Sequence, residues 1–201
     1  MLASITLASE DLQLEAMLNT RSRKEAVLVT HPHPLYGGDM HNAVVATIAR
    51  AYEKTGWSSL RFNFRGAGAS QGGYDEGVGE QRDLRAAIAF LRNNGFETID
   101  LAGYSFGAWI IARWSRSCPE AAHRIFLVAP PVVFLDFSQI RAIPGLQAVF
   151  AGSRDAFGPP GETKTHLARW QPRARLSLIQ GADHFFSGRL DQHETALAQA
   201  I

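Results

Sequence analysis

The serine in the segment "LAGYSFGA" has the local sequence of a catalytic nucleophile. Residues 103–107 read Gly-Tyr-Ser-Phe-Gly, so that Ser105 has a glycine two positions before it and two positions after it. The apolar run "IDLAGY" precedes the serine and the helical pattern "SFGAWIIARWSRS" follows it, which predicts a sharp, strained strand-to-helix turn. The positive end of such a helix lies beside any oxyanion that forms. This context favours a nucleophile over a chance Gly-x-Ser-x-Gly in a loop.

A serine nucleophile needs a base within hydrogen-bond reach, and four histidines follow Ser105 in the chain. His184 lies in "GADHFF", directly after the last predicted strand, at the sheet edge where the serine is expected. His123 precedes a strand and is expected at the opposite edge. His166 and His193 fall in polar helical segments, where a surface position is expected. His184 is therefore the predicted base.

A carboxylate should orient this base, and it is expected between the serine and the histidine in the chain. Asp155 follows the predicted strand "LQAVFAG" and occupies that place. Asp136, after the preceding strand, is the main alternative, because some sites of this architecture take their acid from there. Asp183 is too close to His184 along the chain to reach behind the imidazole, so we expect it to shape the loop.

Strands and helices must alternate to position these residues, and the chain shows that alternation. Helical spacing occurs in residues 40–56, 76–95, 105–117 and 190–201, each with apolar positions along one face. Six short apolar runs have the composition of strands buried on both faces: 26–30, 59–64, 99–104, 124–129, 146–152 and 175–181. Two amino-terminal segments, 5–9 and 12–18, alternate as an antiparallel pair does. We predict a mostly parallel sheet with helices on both faces and ligands at the carboxyl ends of its strands.

Length and composition limit the classes of protein that need to be considered. The chain has 201 residues, which predicts a single domain spanning residues 1–201. Twenty basic against 19 acidic residues give a net charge of +1, so neither a nucleic acid nor a membrane is an expected partner. The lone cysteine, Cys118, excludes an internal disulfide and a cysteine-rich zinc site. Without a signal-like start or a long apolar span, a cytoplasmic location is expected.

The segment "HPHPLYGGDMHN", residues 31–42, raises the alternative of a metal-dependent hydrolase that uses His31, His33 and His41. Proline follows each of the first two histidines and holds the backbone extended. Carboxylate ligands are missing apart from Asp39, and the third histidine is expected where a helix starts. We therefore expect no metal here.

Taken together, "HPHPLYGG", "FNFRGAGAS", "GYSFGA", "GSRDAF" and "GADHFF" resemble the α/β-hydrolase superfamily. The resemblance is strongest to small bacterial predicted hydrolases related to dienelactone hydrolases and short carboxylesterases, and it runs from about residue 5 to the carboxyl end. It implies an α/β-hydrolase fold, no cofactor, and a serine hydrolase with Ser105 as nucleophile, Asp155 as acid and His184 as base. Dienelactone hydrolases use a cysteine nucleophile, so the serine favours small carboxylic esters or thioesters. Cys118 cannot replace it.

The resemblance also implies two backbone donors for the oxyanion. One is the N–H of Phe106, immediately after the nucleophile. The other comes from the loop after "AVLVT", where most relatives carry His-Gly and this chain has His-Pro twice, and proline has no N–H to donate. Aligning the second His-Pro pair selects Leu35, and aligning the first selects His33. We prefer Leu35, because Gly37-Gly38 lie just behind it, with Tyr36 as a close rival.

The predicted substrate is a small-molecule ester or thioester at an open site. About fifteen residues join the strands of "RIFLVAPP" and "LQAVFAG", too few for a cap domain. The expected substrate-binding residues are aromatic and lie next to the motifs: Tyr36, Tyr104, Phe157 and Phe185. A peptidase or amidase of the same fold, and a non-catalytic binding protein, stay open as alternatives. The oligomeric state is not predicted.

Overall fold

In the computed structural model, which describes residues 1–117 and 122–201, the strands form an eight-stranded sheet in the order β1-β2-β4-β3-β5-β6-β7-β8. β1 pairs antiparallel with β2 and β2 antiparallel with β4, and every other pairing is parallel. Cys118 lies outside the described residues. The strands are β1 (Leu2–Ser9), β2 (Leu12–Asn19), β3 (Glu25–Thr30), β4 (Ser58–Phe62), β5 (Thr98–Tyr104), β6 (Ile125–Val128), β7 (Leu146–Gly152) and β8 (Arg175–Ile179).

Helices cover both faces of this sheet, which confirms the predicted doubly wound architecture with antiparallel strands at the amino end. The helices are α1 (Ala43–Lys54), α2 (Gly79–Asn93), α3 (Phe106–Trp114), α4 (Pro160–Trp170) and α5 (Leu190–Ala198), and Pro34–Tyr36 form a 3-10 helix. Apolar residues of α1 and α5 pack into one core cluster, and those of α2, α3 and α4 pack into the other. None of the helices in the described parts of the chain is long and apolar enough to cross a membrane.

The central strands are buried on both faces, as their apolar composition predicts, but β8 differs. In β3 all five residues from Ala26 to Thr30 are buried. β8 is an edge strand whose burial is partial, and Leu178 on it is exposed. The expectation of a doubly buried strand at 175–181 is therefore wrong, because β8 is the last strand of the sheet and no other strand of the described residues pairs with its outer side. The helix α4 contains His166, which the sequence analysis places in a polar helical segment, but its bounds are not predicted from apolar spacing, since its buried residues are only Thr163, Leu167 and Trp170.

The connection from β6 to β7, residues 129–145, contains no helix or strand, so no cap domain covers the carboxyl edge of the sheet. The connection stays close to the body of the protein through backbone hydrogen bonds. The N–H of Val133 donates to the carbonyl of Phe157 at 3.1 Å, and that of Ile143 donates to the carbonyl of Trp170 at 2.9 Å. This connection consequently does not enclose the carboxyl ends of β3, β5, β6 and β7.

A buried ion pair holds the turn that follows β4. Arg65 donates from Nε and Nη2 to the two carboxylate oxygens of Asp83 at 3.0 and 2.7 Å. The same carboxylate, which is 0% exposed, accepts the backbone N–H of Arg65 and the hydroxyl of Ser9. These contacts join the turn after β4 to the first turns of α2 and to β1.

Replacing Asp83 by alanine should lower the free energy of unfolding by about 3 kcal/mol, because it leaves the buried Arg65 guanidinium with only the exposed carboxylates of Glu10 and Asp75, at 3.8 and 4.0 Å. Chemical denaturation measures the change. Glu97→Ala removes a carboxylate from the exposed pair with Lys24 and should have little effect. Equal losses in the two variants would contradict the role given to the buried pair.

Candidate active site

Ser105 occupies a strained turn between the end of β5 and the start of α3. Its backbone has φ 53° and ψ −114°, a positive φ that side chains disfavour. A Cβ at Gly103 would lie 2.6 Å from the carbonyl oxygen of Gly107, and a Cβ at Gly107 would lie 2.5 Å from Thr30 Oγ1. Any larger residue at position 103 or 107 would therefore clash with neighbouring atoms at this turn.

Three polar side chains form a continuous hydrogen-bonded chain at this turn. Ser105 Oγ lies 2.9 Å from His184 Nε2, and His184 Nδ1 lies 3.0 and 2.9 Å from the two carboxylate oxygens of Asp155. All three side chains are buried. Asp155 Oδ1 also accepts the backbone N–H groups of Phe157 and Gly158, which hold the carboxylate in place. The arrangement can remove a proton from a serine hydroxyl and stabilise the imidazolium that results.

The loop that carries His184 is fixed by its own polar contacts. Asp183 Oδ1 accepts the backbone N–H groups of Phe185 and Ser187, both at 3.0 Å. The bond from the Ser187 N–H is the main reason that the pKa of Asp183 lies below its usual value. Tyr104 donates its hydroxyl to the carbonyl oxygen of His184 at 3.2 Å. Asp183 thus shapes the loop and does not reach the imidazole.

The other candidates for acid and base lie away from Ser105. Asp136 is exposed, and its carboxylate accepts the N–H of Ser138 at 2.7 Å in a local turn. His123 Nδ1 lies 3.1 Å from Asp100 Oδ1, in the amino-terminal half of β5. His166 lies on α4, with its ring 5.2 Å from that of Trp170.

His31 is a buried neutral residue that ties two loops together. Its Nε2 accepts the backbone N–H of Phe64 at 2.9 Å, and its Nδ1 lies 2.6 Å from the carbonyl oxygen of Pro32. Burial lowers the pKa of His31 to about 4. Both ring nitrogens are thus used within the protein, whereas the His41 side chain is exposed. In the described parts of the chain no group of three or more His, Cys, Asp and Glu side chains could hold a metal ion.

Leu35, predicted as the second oxyanion donor, has its N–H engaged within its own loop. Its N–H donates to His33 Nδ1 at 3.3 Å, because His33 caps the short 3-10 helix, and its side chain is 66% exposed. The N–H of the rival Tyr36 is also engaged, with the carbonyl of His33 at 3.1 Å. The N–H of His33 has no hydrogen-bond partner in residues 1–117 and 122–201. Phe106 begins α3, where backbone N–H groups lack intrahelical partners.

A cavity of about 350 Å³ opens beside Ser105 and His184, and the described residues that line it include no Lys, Arg, Asp or Glu. Three of the four predicted substrate-binding residues, Tyr36, Phe157 and Phe185, line the cavity and are exposed. Tyr104 also lines it but is buried, with its hydroxyl on the His184 carbonyl. The sequence analysis missed Phe134, whose ring lies 6.0 Å from Tyr36 and 5.6 Å from Phe157. Its irregular segment has no periodicity that could have indicated where the ring lies.

Solved structures of similar proteins match both this fold and this length. An α/β serine hydrolase homologue from Coxiella burnetii is 34% identical, with a TM-score of 0.90 over 98% of this chain and 96% of that one. The chain belongs to the α/β serine hydrolases. A member of this family without a lid, from Xanthomonas campestris, is 31% identical, with a TM-score of 0.90 over 99% of this chain and 93% of that one.

Two further proteins are similar to this α/β serine hydrolase. An uncharacterized protein of Rickettsia prowazekii is 36% identical over 180 residues, which are 85% of this chain and 75% of the relative. An esterase of Pyrococcus furiosus, 18% identical with a TM-score of 0.84 over 99% of this chain and 91% of that one, shares the fold. No protein-family model matches the chain.

His193 of this serine hydrolase is buried, which makes the predicted surface position wrong. The side chain is 0% exposed, and its ring stacks on Phe186 at 4.6 Å, behind the loop that carries His184. His193 lies on the face of α5 that packs against the core, so its side chain is buried although the helix is rich in polar residues. Neither ring nitrogen has a hydrogen-bond partner in the described part of the chain, and burial lowers the pKa of His193 to about 4.

Replacing His193 by phenylalanine should reduce the loss of stability in acid. Because the pKa is about 4 in the native protein and 6.5 in the reference state, the unfolded chain binds more protons between these values, and stability falls as pH falls. Wild type should lose about 2 kcal/mol more free energy of unfolding than the variant between about pH 7.5 and about pH 5. Denaturant titrations at both pH values measure the difference.

His41→Phe makes the same substitution at an exposed histidine and should keep the wild-type pH dependence. Identical losses in wild type and His193→Phe would show that His193 does not titrate in this range.

Proposed function

We propose that this α/β serine hydrolase cleaves small, uncharged carboxylic esters or thioesters through an acyl-enzyme on Ser105. The observation that carries the proposal is the 2.9 Å contact between Ser105 Oγ and His184 Nε2 at the base of an open cavity. The absence of charged side chains among the lining residues supports an uncharged substrate, since an ionised group would lose hydration there without gaining a partner. Asp155 supplies the carboxylate that orients the base.

The reaction proceeds in two acyl-transfer steps. Ser105 Oγ attacks the acyl carbonyl carbon while His184 Nε2 takes the hydroxyl proton, and the tetrahedral intermediate then expels the alcohol or thiol, which receives that proton. His184 next takes a proton from a water molecule, whose oxygen attacks the acyl carbon. Ser105 leaves with the returned proton, and the carboxylic acid is released. Asp155 stays ionised and stabilises the imidazolium in both steps.

Two backbone N–H groups stabilise the oxyanion in this proposal, those of Phe106 and His33. Phe106 follows the nucleophile at the positive end of α3. His33 replaces the predicted Leu35, because its N–H has no partner in the described part of the chain and the residue lines the cavity beside Ser105. The rings of His33 and Phe106 are in contact, with centroids 4.8 Å apart, which supports the two N–H groups acting together.

A fluorophosphonate probe should modify wild type and leave Ser105→Ala unmodified, because the probe reacts with an activated serine. Intact-mass spectrometry measures the adduct. Ser187→Ala removes an exposed serine from the loop that carries His184 and should be labelled like wild type. If folded wild type is not labelled, the proposed hydrolase activity is contradicted, and the alternative of a non-catalytic binding protein is supported.

The donor role of His33 is tested by comparing two substitutions at one position. His33→Ala removes the imidazole and keeps the backbone N–H, whereas His33→Pro removes both, and the native φ of −61° is one that proline adopts. We expect kcat/KM for an aryl ester to be about 10²–10³-fold lower in His33→Pro than in His33→Ala, the effect of losing one oxyanion donor. Equal values in two folded variants would exclude this N–H as a donor.

A further inference from the structure

The cavity has polar side-chain groups that the proposed reaction does not use. The loop between β3 and α1 forms one wall of the cavity, through Pro32, His33, Tyr36, Gly37, Gly38 and Asn42. Among these, Asn42 carries a half-buried amide. The hydrogen bonds of this amide show which of its atoms is left to contact a substrate.

The amide of Asn42 is held in one orientation by the start of α1. Its Oδ1 accepts the backbone N–H of Val44 at 2.9 Å, and only the oxygen of the amide can accept from that donor. The backbone N–H of Asn42 donates to the carbonyl of Asp39 at 3.2 Å, and its own carbonyl accepts the N–H of Ala46 at 2.9 Å. Nδ2 is thus the one polar atom of Asn42 without a partner in the described residues.

The proton transfers of the proposed reaction divide the cavity into two sides. His184 must protonate the leaving alcohol or thiol, so the leaving group lies next to the imidazole. Phe157 and Phe185 contact that ring, with centroids 4.7 and 5.4 Å away, and form an apolar surface for the leaving group. In the proposed reaction the acyl part extends away from the imidazole, and we place it against the loop between β3 and α1, whose residues, including Asn42, also line the cavity.

We propose that Asn42 Nδ2 donates a hydrogen bond to a neutral oxygen of the acyl group, and that the substrates are esters whose acyl chain carries an ether, hydroxyl or keto oxygen near the scissile carbonyl. This inference rests on the proposed function of the same site. A neutral oxygen matches an uncharged NH₂ donor in a cavity without charged lining residues. An acyl carboxylate or phosphate would find no Lys or Arg side chain among the described residues that line the cavity.

Matched ester pairs test this assignment. The p-nitrophenyl esters of butanoic and methoxyacetic acid, and those of pentanoic and 3-methoxypropanoic acid, differ by one CH₂ that becomes an oxygen. The ratio of kcat/KM within each pair is compared between wild type and Asn42→Ser, so that intrinsic reactivity cancels. Serine keeps an oxygen that can cap α1 and removes the NH₂ donor. Asn93→Ser makes the same change at an exposed residue of α2 and serves as control.

In at least one pair, the ether-to-alkyl ratio should fall about three- to tenfold in Asn42→Ser, the range for one hydrogen bond, and stay unchanged in Asn93→Ser. An equal fall in kcat/KM for both members of each pair would overturn the proposal, because Asn42 would then act on the oxyanion or on the loop. Unchanged ratios in both pairs would overturn it as well.

A binding measurement separates this proposal from the hydrolase activity itself. The side-chain NH₂ signals of Asn42 in ¹⁵N-labelled protein, assigned by their loss in Asn42→Ser, are followed during titration with the N-methyl amides of the same four acids. The ether amides should shift these signals and the alkyl amides should not. If wild type cleaves none of the esters, the proposed function fails while the titration still decides the role of Asn42. Indistinguishable shifts would overturn that role even in an active enzyme.

Discussion

The backbone of Ser105, at φ 53° and ψ −114°, is the constraint on which the site depends. Holding a non-glycine residue in so sparse a region costs on the order of 1–3 kcal/mol, and the surrounding packing must offset that cost. Gly103 and Gly107 allow β5, α3 and the end of β3 to approach closely enough to do so. A Cβ at Gly107 would lie 2.5 Å from Thr30 Oγ1 and 2.8 Å from the carbonyl oxygen of His31. The turn of Ser105 and the loop that begins at the end of β3 therefore share one contact surface.

The loops around this turn are held by hydrogen bonds between backbone and buried side chains. His31 fastens the loop after β3 to the N–H of Phe64, and Asp155 is held by two N–H groups of its own loop. Asp183 fixes the loop of His184 in the same way. The loops of Asp155 and His184 are also joined to each other, since the N–H of Arg154 donates to the carbonyl of Ala182. Because these loops are held by their own hydrogen bonds, the hydrogen bonds from Ser105 to Asp155 form without a lid, and the aromatic side chains at the rim stay free to contact a substrate.

Positions set by strand order could be predicted from the sequence, whereas positions set by loop conformation could not. Ser105, Asp155 and His184 each follow an apolar strand, and parallel strands bring their carboxyl ends to one edge, so their meeting was foreseeable. The direction of the Leu35 N–H depends on a 3-10 helix within a proline-rich loop, which composition does not specify. Phe134 lies on an irregular segment without periodicity. The doubly wound architecture followed from the alternation of strands and helices, but the exposure of β8 required knowing which strand forms the edge.

The central claim is that Ser105 becomes acylated and that the acyl group leaves by hydrolysis. Mixing the protein with p-nitrophenyl butanoate, quenching in acid within the first turnover, and mapping the butanoyl group by peptide mass spectrometry tests it most directly. We expect one butanoyl group on the peptide that contains Ser105, appearing with the first release of nitrophenol and disappearing once substrate is exhausted. Nitrophenol release without an acyl intermediate, or a butanoyl group on another residue, would contradict the account.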